Sequence, residues 1–452
     1  MQGMTNALES FRDLLWNGPL LFSLLGTGTY LMMLLRGAPL RNLKPALKLA
    51  VLGKKDPEGV SSFSSLATEL AATIGVGNVF GVVSAMTVGG PGALLWMEVS
   101  ALLGLATKLV ESTLSVKYRV FRTGELPLGG PMVTLTRAFP FPKAGRILGF
   151  FYAVFALLSC FGMGNLIQAN AIAVTLREAF GVDGLKVALG LTILTILSVV
   201  GGRRGISKIA TYLVPAMGAL YLAGCLGIIV LHPLQLFPAL RGILVGAFCP
   251  KAVSGGIFGT VTVSVFRSMS TGVARGVFSN EAGLGAGGIT AAAAAEESCV
   301  KQGLISMTGV FFDTILICSV TGISFAVSGI LGGAEGAAFM EPATLASKVF
   351  ENTYGRFGVC LLAICISLFA FATILGWASQ GEAVFRFLFG NGRTTVFKLL
   401  YGIITLWGAS TASSTLWNLA DVANGLMAVP NLICILVMAP SVAGEIKNWR
   451  WN

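Results

Sequence analysis

The sequence predicts an all-α polytopic membrane protein of about eleven transmembrane helices, one N-terminal helix followed by two five-helix halves of opposite orientation. Three observations carry that prediction. Of the 452 residues, 55% are hydrophobic and only 11% are charged, with a mean hydropathy of +0.81; soluble domains carry about 25% charged residues. Mostly apolar segments of about 18 residues or more recur along the whole chain, the pattern of spanning helices rather than the short alternating segments of a β-barrel. Finally, glycine-rich interruptions stand at matching positions of the two halves.

The elements follow in order. A first span is expected over 15–35. Five more are expected at 64–87, 92–118, 147–178, 185–201 and 208–231. A long interrupted segment, 257–294, opens the second group, followed by spans at 303–332, 356–387, 395–410 and 425–443. The implied units are 1–60 (extra helix and basic loop), 61–232 and 233–443 (the two repeats), and a tail, 444–452. The net charge of +11 does not point to nucleic acid, because the bases cluster in every second connection. Lys44, Lys54 and Lys55, then Lys117, Arg119 and Arg122, then Arg203, Arg204 and Lys208 fall on one side, as cytoplasmic loops require. The N-terminus is then expected outside and the C-terminal tail, with Lys447 and Arg450, inside; the acidic stretch 333–354 (Glu335, Glu341, Glu351) falls outside. The N-terminal stretch has no basic n-region, so no signal peptide is expected. The eight cysteines, among them Cys160, Cys318 and Cys365, show no paired spacing and read as packing residues. His232, before Pro233 at a segment end, reads as a loop residue.

The interruptions are the informative feature. "ATIGVGN" (Ala72–Asn78) and "RGVFSNEAGLGAGG" (Arg275–Gly288) put glycines where a membrane helix favours leucine. Each glycine costs about 1 kcal/mol in a helix interior. Non-helical backbone at bilayer depth is tolerated where it lines a cavity. There it exposes carbonyls and amides that suit a cation or an amino acid zwitterion. A pair of such breaks in two halves marks a transporter's midplane site. One break alone reads first as a packing notch or a turn; both in register favour a site. Other polar residues sit within the spans. Asp313 and Thr314 interrupt "GVFFDTILIC", where an acid is either functional or a buried structural hydrogen-bonding group. Gln168 and Asn170 interrupt 147–178, with interhelical hydrogen bonding as the ordinary alternative. Thr373 and Trp377, four apart, share a helix face; Trp377 either walls a small pocket or belongs to an interfacial belt.

Together these residues resemble the alanine or glycine:cation symporter family, also called sodium:alanine symporters, from about 61 to 440. The motifs are "ATIGVGN", "GGPGALLWMEVSALLGLATKLVE", "RGVFSNEAGLGAGG", "FFDTILIC" and "LFAFATILGW". The resemblance implies a leucine-transporter-type fold and sodium-driven uptake of a small neutral amino acid, alanine or glycine, across the cytoplasmic membrane. It implies substrate contacts at Thr73, Gly75, Gly77, Asn78, Gln168, Phe278, Ser279, Asn280, Thr373 and Trp377. By analogy with the wider fold, Asn78 lies near one cation, and the carbonyls of Ala71 and Ile74 with the Thr373 hydroxyl suit a second; Asp313 is a further candidate ligand. The chain departs from the family pattern at Val76, Ala372, Ala378, Ser379, Gln380, Leu95 and Glu98. Glu69 stands where a small residue is usual, either as a modifier of ion coupling or as a hydrated helix-end residue paired with Lys54 or Lys55.

The expected partners are a small amino acid, sodium or a proton, and the lipid bilayer; no cofactor and no nucleic acid are expected. Proton coupling is the alternative within the transporter class, and a channel is a second class that would favour a symmetric oligomeric pore. An enzyme finds no support: H-E-x-x-H, G-x-S-x-G and G-x-x-x-x-G-K-[ST] are all absent from the sequence.

Overall fold

The structure is a computed structural model that describes residues 2–16, 18–52, 60–121, 125–248, 251–254, 260–263, 265–330, 341–411 and 414–449. Lys54, Lys55, Arg122, Glu335 and Arg450 lie outside the described residues. The fold is all-α as expected, apart from one small ladder described below. Among the described residues, six helices are long and apolar enough to cross a bilayer, and the bent pair Ser62–Thr73 and Val76–Gly89 makes a seventh. Other expected crossings match shorter helices: Pro19–Leu34, Gly184–Val200 and Thr394–Ser410. A helix of 17 residues, such as Gly184–Val200, rises about 26 Å, close to the hydrocarbon thickness.

Local chemistry sets many of the helix ends. Ser61 accepts a hydrogen bond from Ser64 N at 3.1 Å and so starts Ser62–Thr73. Asp183 accepts from Leu185 N and Lys186 N at 3.1 and 3.2 Å and starts Gly184–Val200. Gly181, at φ +66°, ends Ile167–Phe180, where a left-handed residue favours glycine. Two long spans contain π-helical insertions: Gly162–Leu166 between Pro142–Phe161 and Ile167–Phe180, and Phe311–Cys318 between Cys299–Val310 and Ser319–Val327. Such insertions occur mainly at functional positions, and the second contains Asp313.

Burial is inverted relative to a soluble protein. Leu197, Tyr212, Val230, Phe237 and Ile403 are exposed on the outside, whereas Thr68, Glu69, Asn78, Lys108 and Asp313 are buried. That is the pattern of a bundle that faces lipid and keeps its polar groups at the centre. The two broken elements occupy that centre, packed against Ala93–Lys117, Gly202–Leu231 and Arg356–Phe389.

The breaks run in opposite directions. Ser62–Thr73, the first half of one element, packs on Ala286–Ala291, the second half of the other. Phe80–Gly89 packs on Val265–Asn280. The Ser65 hydroxyl donates to the Thr290 carbonyl at 3.0 Å, and Ala295 N donates to the Val60 carbonyl at 2.9 Å. This antiparallel pairing is what an inverted repeat produces.

Three details differ from the sequence reading. The second broken helix begins at Val265 rather than 257. Before it, Lys251–Ser254 and Thr260–Val263 form an antiparallel ladder, with Lys251 opposite Val263; this segment is rich in β-branched residues, which suit a pleated surface. The helices Gln2–Trp16, Pro233–Phe248 and Pro342–Tyr354 were not expected. Each is too short or too polar to register as a span. The cysteines and His232 behave as expected. All seven cysteines among the described residues are free. The His232 ring bonds the Ile228 carbonyl at 2.9 Å at its helix end.

A candidate substrate and cation site at two helix breaks

The first break follows from one diverted hydrogen bond. The Gly75 N–H donates to Asn78 Oδ1 at 2.9 Å instead of continuing the helix onto the Ala71 carbonyl. Residues Val76–Asn78 then form a single 3-10 turn, and the helix restarts at Phe80. The Thr373 hydroxyl reaches the Ile74 carbonyl at 3.3 Å, while it also donates to Phe369 O at 3.1 Å. A Cβ on Gly75 would stand 2.5 Å from Thr373 Oγ1 and 3.4 Å from Gln168 Oε1. Glycine is therefore required for the close approach of three elements. Thr73 Oγ1 and Gln168 Oε1 are buried and have no hydrogen-bond partner among the described residues. Gln168 Nε2 donates to the Met163 carbonyl at 3.2 Å, which leaves its oxygen free.

Asp313 ties the two breaks together. Its Oδ1 accepts from Asn78 Nδ2 at 2.8 Å. Its Oδ2 accepts from Ser279 and Thr314 hydroxyls, each at 2.8 Å. Asn280 Nδ2 donates to Thr314 Oγ1 at 3.0 Å, and its Oδ1 accepts from Ala282 N at 3.0 Å. An unpaired carboxylate at this depth is costly; here both oxygens are satisfied, and the bond from Asn78 joins one half of the molecule to the other. Phe278, Ser279 and Asn280 form the last turn of Val265–Asn280, and the break itself follows at 281–285. This corrects the expectation that they lie within the break. The helix extends further because Glu281 N still bonds Val277 O at 2.9 Å.

The second break is built by charged residues that sequence reasoning did not single out. Glu281 adopts φ +57°, a left-handed conformation rare outside glycine. Its Oε1 accepts from the Trp377 indole N–H at 3.1 Å. Glu111 Oε2 accepts from Gly283 N, Gly285 N and Asn431 Nδ2, each at 3.2 Å. Lys108 Nζ lies 3.1 Å from Glu69 Oε1 and 3.5 Å from Glu111 Oε1. Glu69 is only 1% exposed, so it is not a hydrated helix-end residue. The signal was present: Lys108 and Glu111, opposite in charge and three apart, interrupt an apolar span, and intramembrane charges mark function or pairing.

Trp377 is buried rather than placed in an interfacial belt, and it packs so tightly on Gly164 that any side chain there would collide. Gly77 faces the Phe278 ring, where a Cβ would stand 3.4 Å away. Asn170 donates to the Thr411 carbonyl at 2.9 Å, an ordinary interhelical bond. Glu98 is half-buried with Oε1 unpartnered among the described residues. An open cavity of about 570 Å³ leads toward Phe278, lined by Arg12, Phe266, Arg267, Arg275 and Asp421 among others. On the opposite side, the Val60–Ala294 contact and Arg119, which donates to Ala292, Ala294 and Glu296 carbonyls, hold the half-helices together.

Comparison with known proteins decides the family, since the sodium:alanine symporter family matches residues 1–452. The chain belongs to this family. Among its relatives, the sodium/alanine symporter AgcS of Methanococcus maripaludis is 38% identical over 447 residues, covering 98% of this chain and 96% of the relative. The probable sodium/glutamine symporter GlnT of Bacillus subtilis is 32% identical over 445 residues, covering 97% and 89%. The putative sodium/proton-dependent alanine carrier YrbD of Bacillus subtilis is 31% identical over 470 residues, covering 99% and 93%. Among solved structures, MhsT in complex with L-phenylalanine superposes with a TM-score of 0.59 at 16% identity, covering 85% of this chain and 90% of that one. A Na+-coupled sialic acid symporter superposes at 0.56 and 15% identity, covering 93% and 86%. These neighbours share the leucine-transporter-type fold. This sodium:alanine symporter family member is thus a multi-pass membrane transporter and not an enzyme.

Proposed function

We propose that the chain imports a small neutral amino acid by sodium symport with alternating access. The observation that carries this reading is the meeting of Ile74, Gly75, Gln168 and Thr373 at a helix break, where the buried Thr73 Oγ1 and Gln168 Oε1 have no hydrogen-bond partner among the described residues. The Ala71 and Ile74 carbonyls and the Thr373 hydroxyl supply the hard oxygen ligands that sodium takes. Asn78 Oδ1 contributes at a neighbouring position, with the Asp313 carboxylate supplying negative charge behind it. The substrate carboxylate meets the break at Gly75 and Gly77, where the N-terminal end of Phe80–Gly89 adds a positive dipole. Thr73 and Gln168 offer acceptors to its ammonium, and Phe278, Ser279 and Asn280 close the site from the second element. Trp377, seated on Gly164, limits the side chain to a small one. Alanine and glycine fit this limit, and the names of the relatives support alanine.

Alternating access draws on the same geometry. The arginine-lined cavity is open on one side of Phe278, and the half-helices are tied together on the other. The open side is the cell exterior, with the N-terminus outside and the C-terminus inside, as the basic loops favour. The two repeats, 61–232 and 233–443, move against one another around the breaks. Glu69, bound to Lys108, acts on coupling through the position of Ser62–Thr73.

The test is uptake into proteoliposomes. Radiolabelled glycine, alanine, valine, leucine and glutamine are offered one at a time, with sodium and pH gradients imposed separately. Sodium-driven accumulation of alanine or glycine above the equilibrium level is the expected result. Equilibration without accumulation would favour a channel, and accumulation only of larger substrates would overturn the size limit.

A further inference from the structure

We propose that Glu281 is a proton-binding site of the transport cycle, distinct from the sodium ligands, so that amino acid uptake carries a proton as well. This rests on the symporter reading and adds a second coupled ion to it. Around the two breaks, the buried carboxylates Glu69, Glu111, Glu281 and Asp313 stand against the buried ammonium of Lys108. They are not equally supported. Asp313 accepts three side-chain hydrogen bonds. Glu111 accepts two backbone hydrogen bonds and one from the Asn431 side chain, and faces Lys108. Glu69 has an unpartnered Oε2 as well, but its charge is matched by Lys108, 3.1 Å from Oε1. Glu281 accepts one, from Trp377, and its Oε2 has no partner among the described residues although the residue is 0% exposed.

A buried carboxylate with an unpaired oxygen is relieved by binding a cation. The surroundings decide which one. Sodium takes several oxygens at once, but among the described residues no three acidic side chains converge closely enough to hold a metal ion; the groups that face Glu281 are the Trp377 indole N–H on Arg356–Phe389, Lys108 and Glu111 on Ala93–Lys117, Asp313 on the π-helical turn, Glu69 on Ser62–Thr73, and the Tyr152 hydroxyl on Pro142–Phe161. A proton needs only one oxygen, and Oε2 supplies it. The protonated acid keeps its Trp377 bond through Oε1. On release, the Oε2–H bond breaks, the electron pair stays on Oε2, and the proton passes to water on the cytoplasmic side. Lys108 and Trp377 then hold the carboxylate until it is reprotonated from the outer side. The position suits a proton carrier, because Glu281 occupies the non-helical joint between Val265–Asn280 and Ala286–Ala291, in a left-handed conformation. Movement of one half against the other changes which side this joint faces.

Two measurements test it on the full-length protein. Infrared spectra of the reconstituted wild type should show a protonated carboxyl C=O band that is lost in Glu281→Gln; its absence from wild type at every pH would overturn the proposal without reference to transport. In proteoliposomes loaded with a pH-sensitive dye, sodium-driven alanine uptake by wild type should acidify the interior. Its rate should fall about tenfold per pH unit on the alkaline limb. Glu281→Gln keeps a Trp377 hydrogen bond but cannot release a proton, so acidification should vanish and the pH dependence flatten while alanine counterflow persists. Glu281→Asp should retain acidification with a displaced pH profile, and this variant carries the test if Glu281→Gln does not fold. Equal acidification in wild type and Glu281→Gln, or none in wild type that accumulates alanine, would overturn the proton site. A wild type that accumulates no alanine, yet shows the carboxyl band, would instead refute the symporter reading.

Discussion

The two helix breaks look alike in sequence and are held open by different means. At the first, the chain satisfies itself: Asn78, three residues on, takes the Gly75 N–H, the Ala71 carbonyl loses that intrahelical donor, and the Ile74 carbonyl meets the Thr373 hydroxyl. At the second, the exposed amides of Gly283 and Gly285 are taken by Glu111, a carboxylate 172 residues away in sequence from the first of them, which is itself balanced by Lys108. The first break therefore leaves Thr73 Oγ1 and Gln168 Oε1 buried without hydrogen-bond partners among the described residues. The second takes up its glycine amides internally and leaves Glu281 Oε2 buried without a hydrogen-bond partner among the described residues. An inverted repeat supplies two breaks of the same shape, but their chemistry diverges with the residues that each break finds opposite it.

If this contrast holds, the second break is the more vulnerable to a single charge. Glu111→Leu leaves Lys108 short of a partner and two glycine amides without an acceptor. Breaking a buried ion pair costs about 3–5 kcal/mol, so the variant should show a large fall in thermal stability in detergent and lose transport. Wild-type melting would mean that the glycine joint needs no support from that carboxylate.

At the first break, Asn78→Ala should cost about 1–3 kcal/mol by leaving the Gly75 N–H and Asp313 underbonded. Uptake should be lost while the protein still inserts and migrates as a monodisperse species on size-exclusion chromatography. Normal transport would remove the site from the first break. Thr373→Ala tests the cation half alone. Loss of one oxygen should raise the sodium concentration for half-maximal uptake about tenfold, equivalent to about 1.4 kcal/mol, and Thr373→Ser should restore it. An unchanged sodium curve would move the cation elsewhere.

A smaller effect is expected where the breaks face one another. Trp377→Phe keeps the wall but removes the Glu281 bond, worth about 0.5–1.5 kcal/mol. It should change the pH profile more than the competition profile across glycine, alanine, valine and leucine, whereas Trp377→Ala should admit the larger side chains. The smallest effect belongs to Asn170→Ala, which removes one interhelical bond to Thr411 and should leave uptake rates within about twofold. A transport defect there would extend the site beyond the two breaks.

Much of this was legible in the linear chain because lipid simplifies the physics. A segment that must satisfy its own backbone hydrogen bonds in hydrocarbon announces itself by length and apolarity. A break there announces itself by glycine. Thus the all-α class and the two interruptions could be named from the chain alone, and the motifs around them pointed to Thr73, Gly75, Asn78, Thr373 and Trp377. Short or polar helices such as Gln2–Trp16 and Pro233–Phe248 were missed because they carry no such constraint. Glu69 illustrates the remaining gap. Its position one turn before Thr73 was clear, but whether it met water or an ammonium depended on Lys108, which enters from a different helix.

The sequence by itself thus determined the membrane class, the two helix breaks and the family to which the chain belongs, because these follow from hydropathy, glycine placement and local motifs. Only the tertiary structure decided the pairings: Asp313 with Asn78 and Ser279, Glu111 with Gly283 and Gly285, Glu281 with Trp377, Lys108 with Glu69. A buried charge takes its meaning from the groups a few ångströms away. Those groups come from residues tens to hundreds of positions distant, brought together by helix packing that no local stretch of the chain encodes.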